Sequence, residues 1–160
     1  MHLYVLRHGI AIEPFDWDGN DGSRPLTLEG RERTEAIIET LKRQDKLQVD
    51  AIWSSPLVRA EETAEIAGKV LKLPVTIIKA LSCGASLKRL QTDFKARAPL
   101  PERLLLTGHE PDCGMIISGL IGDAEGDYAL KKTGIALLKG TFEPGGMKLL
   151  WKLAPKDILE

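Results

Sequence analysis

The sequence predicts an α/β fold, a three-layer αβα arrangement around a mostly parallel sheet that a C-terminal hairpin makes mixed. Three observations carry this. Four short apolar runs, at 3–7, 50–54, 75–78 and 103–107, alternate with amphipathic stretches of helical period, the order that right-handed βαβ units require. The runs are largely apolar, as Leu104-Leu105-Leu106 shows, which suits strands buried on both faces. Two later runs, 135–140 and 147–153, are joined by Glu143-Pro144-Gly145-Gly146, a hairpin joint.

The helices follow in order. The first begins near Thr27, a good N-cap, and turns Ile37, Ile38 and Leu41 inward while Arg31, Glu32, Arg33 and Glu35 stay wet. The second is expected from Ser55-Pro56, cap then proline, with Leu57, Ala60, Ala64, Ala67 and Leu71 at helical spacing. A third occupies 86–96, and a fourth opens at Pro111 and runs to about Leu120. Between the first strand and first helix, Ile12 to Pro25 crowds Glu13, Asp16, Asp18 and Asp21 with Gly19 and Gly22, a loop placed over the strand edge.

With 160 residues and no repeat or linker, residues 1–160 read as one domain. The net charge of -1 gives no electrostatic case for nucleic acid or an anionic membrane. No apolar stretch approaches the roughly 20 residues that span a bilayer, and the chain enters its first strand directly, so a cytoplasmic location is expected. Cys83 and Cys113 lack a CxxC spacing and suit reduced thiols.

Two of the three histidines, His8 and His109, end strand-like runs, and a parallel sheet would put both at its carboxyl edge, where ligands bind. An imidazole attacks phosphorus well when its far nitrogen is tied to a backbone carbonyl. Arg7 beside it offers a guanidinium fork for phosphoryl oxygens, and Gly9 lets the backbone come close. Arg59, near a helix mouth, adds a second cation; its bland alternative is a surface pair with Glu62. His109 stands before the fourth helix, whose mouth is expected to face the same pocket. A metal site would need a third ligand at a definite spacing, and neither HxH nor HExxH occurs, so no metal and no cofactor are expected. Cys83-Gly84-Ala85-Ser86-Leu87-Lys88-Arg89 spells the C-x5-R of cysteine phosphatases, but it would leave the histidine and arginine motifs unexplained.

Taken in order, Leu3-Tyr4-Val5-Leu6-Arg7-His8-Gly9-Ile10-Ala11, Arg24-Pro25-Leu26-Thr27, Ser54-Ser55-Pro56 with Arg59-Ala60 and Thr63, and Gly108-His109 resemble the histidine phosphatase superfamily, also called phosphoglycerate mutase-like. More closely, the chain resembles the short SixA-type phosphohistidine phosphatases. The resemblance implies that His8 is the nucleophile and becomes phosphorylated, while Arg7, Arg59 and His109 hold the phosphoryl oxygens. It also implies that Arg24 is a further phosphate or substrate contact, the alternative being a loop arginine packing its stem beside a helix start.

One departure from the wider family matters. Where its mutases and many small-molecule phosphatases carry a glutamate acid after the third strand, this chain reads Lys79-Ala80-Leu81-Ser82-Cys83. An alkoxide leaving group needs a positioned acid, worth about 10²- to 10⁴-fold; an imidazole protonated on its other nitrogen leaves neutral. Unless Asp16, Asp18 or Asp21 substitutes, a phosphorus–nitrogen substrate is favoured. The expected partner is a phosphorylated protein, such as a histidine-phosphotransfer domain, with a small phosphate ester as the alternative substrate and a non-catalytic phosphoprotein-binding module as the third.

Overall fold

The computed structural model describes every residue, Met1–Glu160. Six strands, β1 His2–Arg7, β2 Ala51–Ser54, β3 Val75–Ile77, β4 Arg103–Gly108, β5 Ile135–Gly140 and β6 Met147–Leu153, form one sheet in the order β3-β2-β4-β1-β5-β6. β1 to β4 are parallel, and the β5–β6 hairpin adds antiparallel strands beside β1, so the sheet is mixed as expected.

The period-two alternation of strand side chains divides the apolar residues between two cores. Leu3, Val5, Trp53, Leu104 and Leu106 face α3 (Leu87–Ala96) and α4 (Asp112–Ile121), meeting Leu90, Phe94, Ile116 and Leu120. Tyr4, Leu6, Ile52 and Leu105 face α1 (Leu28–Arg43) and α2 (Val58–Leu71), meeting Ile37, Ile38, Leu41, Ala64 and Ala67. Each fully buried aliphatic side chain contributes about 1.5–3 kcal/mol relative to exposure, so two such layers hold the sheet rigid.

α1 begins as read: Thr27 Oγ1 accepts the Gly30 N–H at 2.9 Å. A Cβ on Gly30 would lie 2.1 Å from the Ile10 carbonyl, so glycine is what lets α1 pack against the chain leaving β1. α2 starts two residues later than Ser55-Pro56 implied, its cap at Leu57 and its first residue at Val58. Ser55 N–H bonds the Thr107 carbonyl, prolonging the sheet edge, and its hydroxyl is engaged elsewhere, so the turn runs on to Leu57 before the helix winds. Pro111 flanks α4 and does not open it. A short fifth helix, α5 Pro155–Leu159, lay beyond the sequence reading; Asp157 accepts the Ala154 N–H at 2.8 Å and Ile158 is buried in the α1 core.

The chain leaves β1 toward the α1 layer and leaves β4 toward the α4 layer. Adjacent parallel strands whose connections part to opposite faces open a crevice at their carboxyl ends. No helix is long and apolar enough to cross a membrane.

Candidate active site

β1 pairs with β4 so that Arg7 stands opposite Gly108, and the next residues of the two strands are His8 and His109. The sheet register itself therefore sets the two rings side by side, centroids 5.5 Å apart and tilted by 50°. Both are buried.

His8 Nδ1 lies 2.7 Å from the Gly9 carbonyl. A carbonyl only accepts, so Nδ1 carries the proton and Nε2 keeps a free lone pair. Burial pulls the His8 pKa down to about 3; the Gly9 bond opposes this, and the positive surroundings of His109, Arg59 and Arg7 add to it. The ring is neutral, and nucleophilic, throughout the physiological range. Gly9 N–H donates to Thr63 Oγ1 at 3.0 Å, and a Cβ on Gly9 would meet Thr34 Oγ1 at 2.6 Å, so the residue after His8 has no room for a side chain.

His109 is oriented differently. Its Nε2 is 2.7 Å from Ser55 Oγ, which also accepts the Leu57 N–H at 3.2 Å. The hydroxyl's one acceptor in reach is Nε2, so its proton goes there and the neutral His109 ring holds its own proton on Nδ1. Burial, then Arg59, lowers the His109 pKa to about 4, with Asp21 opposing. Nδ1 has no partner in the protein, and neither do the buried Nε atoms of Arg7 and Arg59. Arg7, Arg59 and His109 thus gather near the His8 ring, each with an unspent N–H of the kind that phosphoryl oxygens accept from.

Arg7 is aimed by a relay: its Nη1 donates to the Leu130 carbonyl at 2.9 Å, and Leu130 N–H donates to Glu110 Oε2, whose other oxygen takes Gly114 N–H in α4. Arg59 is buried at the second position of α2, and it does not pair with Glu62. Glu62 instead engages Arg31 and the Leu26 N–H. Arg59 reaches the acidic loop, donating to the Asp21 carbonyl at 2.9 Å and to its carboxylate at 3.1 Å.

Of the three loop aspartates, Asp21 alone touches this cluster; Asp16 and Asp18 stay exposed with no bond to it. Partial desolvation raises the Asp21 pKa, but Arg59 and Arg24 outweigh it and hold the carboxyl below its ordinary value. Arg24 donates to Asp21 at 3.2 Å and to the Ile12 carbonyl at 2.7 Å, so its visible work is to order the loop. The segment after β3 carries no acid of its own; Asp112, nearby, is spent on the Gly84 and Ala85 N–H groups. No three His, Cys, Asp or Glu side chains converge as a metal cluster. Nor does C-x5-R make a cradle. Cys83 sits 3.8 Å from Arg59, Arg89 is exposed on α3, and desolvation raises the Cys83 pKa, the reverse of what a thiolate nucleophile needs. Both cysteines are free.

Ser55 and Glu110 are the positioning residues that the sequence reading did not assign. Ser55 looked like a helix cap, and only the β2–β4 pairing reveals its partner. A neutral imidazole with a free lone pair, flanked by two arginines and a second imidazole at the carboxyl edge of such a sheet, is an arrangement suited to phosphoryl transfer. The chain belongs to the histidine phosphatase superfamily (branch 1), whose family model matches residues 3–82. It is 36% identical over 142 residues to an uncharacterised protein of Picosynechococcus sp., covering 87% of this chain and 85% of that one. It is also 35% identical over 74 residues to the phosphohistidine phosphatase SixA of Escherichia coli, covering 46% of this chain and 44% of that protein. In fold it matches the protein histidine phosphatase SixA complexed with tungstate, with a TM-score of 0.85, 24% identity and full coverage of both chains. A mycobacterial glucosyl-3-phosphoglycerate phosphatase matches with a TM-score of 0.73 and 18% identity, over 96% of this chain and 99% of that one. Family and site together support a phosphatase.

Proposed function

We propose that this chain removes phosphate from phosphohistidine carried on a protein, through a phosphorylated His8. In the first step His8 Nε2 bonds to phosphorus as the substrate's phosphorus–nitrogen bond breaks. The departing imidazole takes the bonding pair and, already protonated on its other nitrogen, leaves neutral. In the second step water bonds to phosphorus, the Nε2–phosphorus bond breaks and the pair returns to His8, while the water's proton passes to phosphate or solvent. Arg7, Arg59 and His109 Nδ1 meet the charge spread over the equatorial oxygens in both steps. The Gly9 carbonyl serves each step differently. By keeping the proton on Nδ1 it frees Nε2 to attack, and it then lets phosphorylated His8 leave as a neutral ring.

The observation that carries the choice of substrate is the missing acid. The one carboxylate against the pocket, Asp21, is held ionised by two arginines, so no group stands ready to protonate an alkoxide. A leaving group that needs no proton suits such a site, and the similarity to SixA agrees with it. Parallel turnover of a phosphohistidine-bearing phosphotransfer domain and of simple alkyl phosphates tests the reading. The phosphoramidate is expected to win in kcat/KM by at least about 10²-fold, the size of the acid contribution that esters would lack. Faster turnover of the esters overturns it.

A further inference from the structure

Arg7 has a second neighbourhood. On its flank away from His109, α1, the segment before β5 and the start of α5 enclose an open concavity of about 610 Å³ at the same edge of the sheet. Arg7, Arg33, Lys131, Lys132 and Lys156 line it, five of its eight residues, and no carboxylate does. Of these, Lys132 alone has an acidic partner, Glu13, at the long distance of 4.0 Å; Arg33, Lys131 and Lys156 form no ion pair. In a chain of net charge -1, that is a local excess of positive charge beside the catalytic pocket.

We infer that this concavity is a second anion subsite, taking carboxylates of an acidic segment that flanks the phosphorylated residue of a protein substrate. Small-molecule pockets enclose the ligand with apolar walls and a few placed polar groups. Here the walls are long cations on an open surface, which suits a charged face that docks and releases. Their shared positive field also draws in an acidic partner and favours the approach in which its phosphoryl group meets Arg7. Arg7 belongs to both sites, so a carboxylate bound on one flank and the phosphoryl group on the other register the substrate against His8.

This assignment rests on the phosphohistidine reading, and the test separates the two. Two phosphohistidine peptides are compared, one flanked by four glutamates and one by four glutamines, with the wild type and the Lys131→Glu/Lys156→Glu variant. At low salt the wild type is expected to favour the glutamate peptide about tenfold in kcat/KM, through KM. The preference fades at about 0.5 M salt, where exposed charges are screened within a few ångströms. The variant loses the preference and turns over the glutamine peptide at the wild-type rate. Absence of a preference in the wild type, or its survival in the variant, overturns the subsite. Fluorescence anisotropy of the unphosphorylated glutamate peptide gives the second readout, with about tenfold weaker binding to the variant expected and equal binding overturning the proposal. Failure of the wild type to hydrolyse either peptide refutes the phosphohistidine reading, and the anisotropy then still decides the subsite.

Discussion

The two strand ends that build the site hold their histidines by different means. At the end of β1, His8 is tied to the carbonyl of the residue next to it, a bond that any chain with this turn would make. At the end of β4, His109 depends on Ser55, a hydroxyl 54 residues earlier in sequence, brought close by the β2–β4 pairing. One tautomer is set locally and the other by the tertiary fold. Substitutions on the β1 side should therefore act on bond making to phosphorus, and those on the β4 side on how well the transferring group is held.

The widest separation is expected from removing the nucleophile. His8→Ala should lower turnover by about 10⁴-fold or more, the scale seen when a nucleophile is deleted, with no acid-labile phosphoenzyme after quenching with labelled substrate. An active His8→Ala protein would end the histidine mechanism. Ser55→Ala should cost roughly 10- to 100-fold in kcat, as loss of a supporting hydrogen bond does. The phosphoenzyme should still form, more slowly, and Ser55→Thr should restore most of the rate. If Ser55→Ala matched the wild type, the tautomer of His109 would not depend on it.

A smaller effect is expected at Asp21, whose exposed carboxylate pairs with Arg59 and would have to yield to a phosphate bound there. Asp21→Asn should tighten tungstate or phosphate binding about threefold, a gain typical of one exposed charge pair. Thermal shift at fixed anion concentration reads it directly. Weaker anion binding in Asp21→Asn would mean that the carboxylate supports the pocket instead of occupying it.

The smallest effect is an expected flatness. Both histidines are held neutral, with pKa values near 3 and 4, so their protonation contributes no limb to kcat/KM between pH 5 and 8. The sign for stability follows from the same depression. Unfolded histidines take up protons below about pH 6.5 while the folded ones do not. Stability is therefore full above that value and is lost as pH falls toward 4 and then 3, by about 1.4 kcal/mol for every tenfold loss of proton affinity on folding. NMR titration of the His8 and His109 ring protons checks it; an ordinary pKa at either of these two would contradict the burial argument.

The same contrast explains what could be read from sequence. Strands such as Leu104-Leu105-Leu106 and the Thr27 cap were legible because their signals are local. Arg7, His8, Arg59 and His109 were named from sequence, and the fold brings them together. The start of α2 was misplaced because Ser55-Pro56 has the chemistry of a cap, while the fold spends that hydroxyl on His109. The direction of Arg59 was open between Glu62 and the pocket, since both lie within reach of a helix start. Which loop aspartate mattered could not be told from Asp16, Asp18 and Asp21 without the loop's path. α5 has five residues, too few to hold a helix by themselves, and its order comes from burying Ile158.

Cys83 gives the protein a practical property. It is the exposed one of two cysteines, Cys113 being sealed in the core, and its sulfur lies 3.8 Å from the Arg59 guanidinium. A maleimide dye would attach at that one atom without any engineered substitution. A dye there sits beside that guanidinium, so its emission can gauge events at Arg59 with the natural sequence intact.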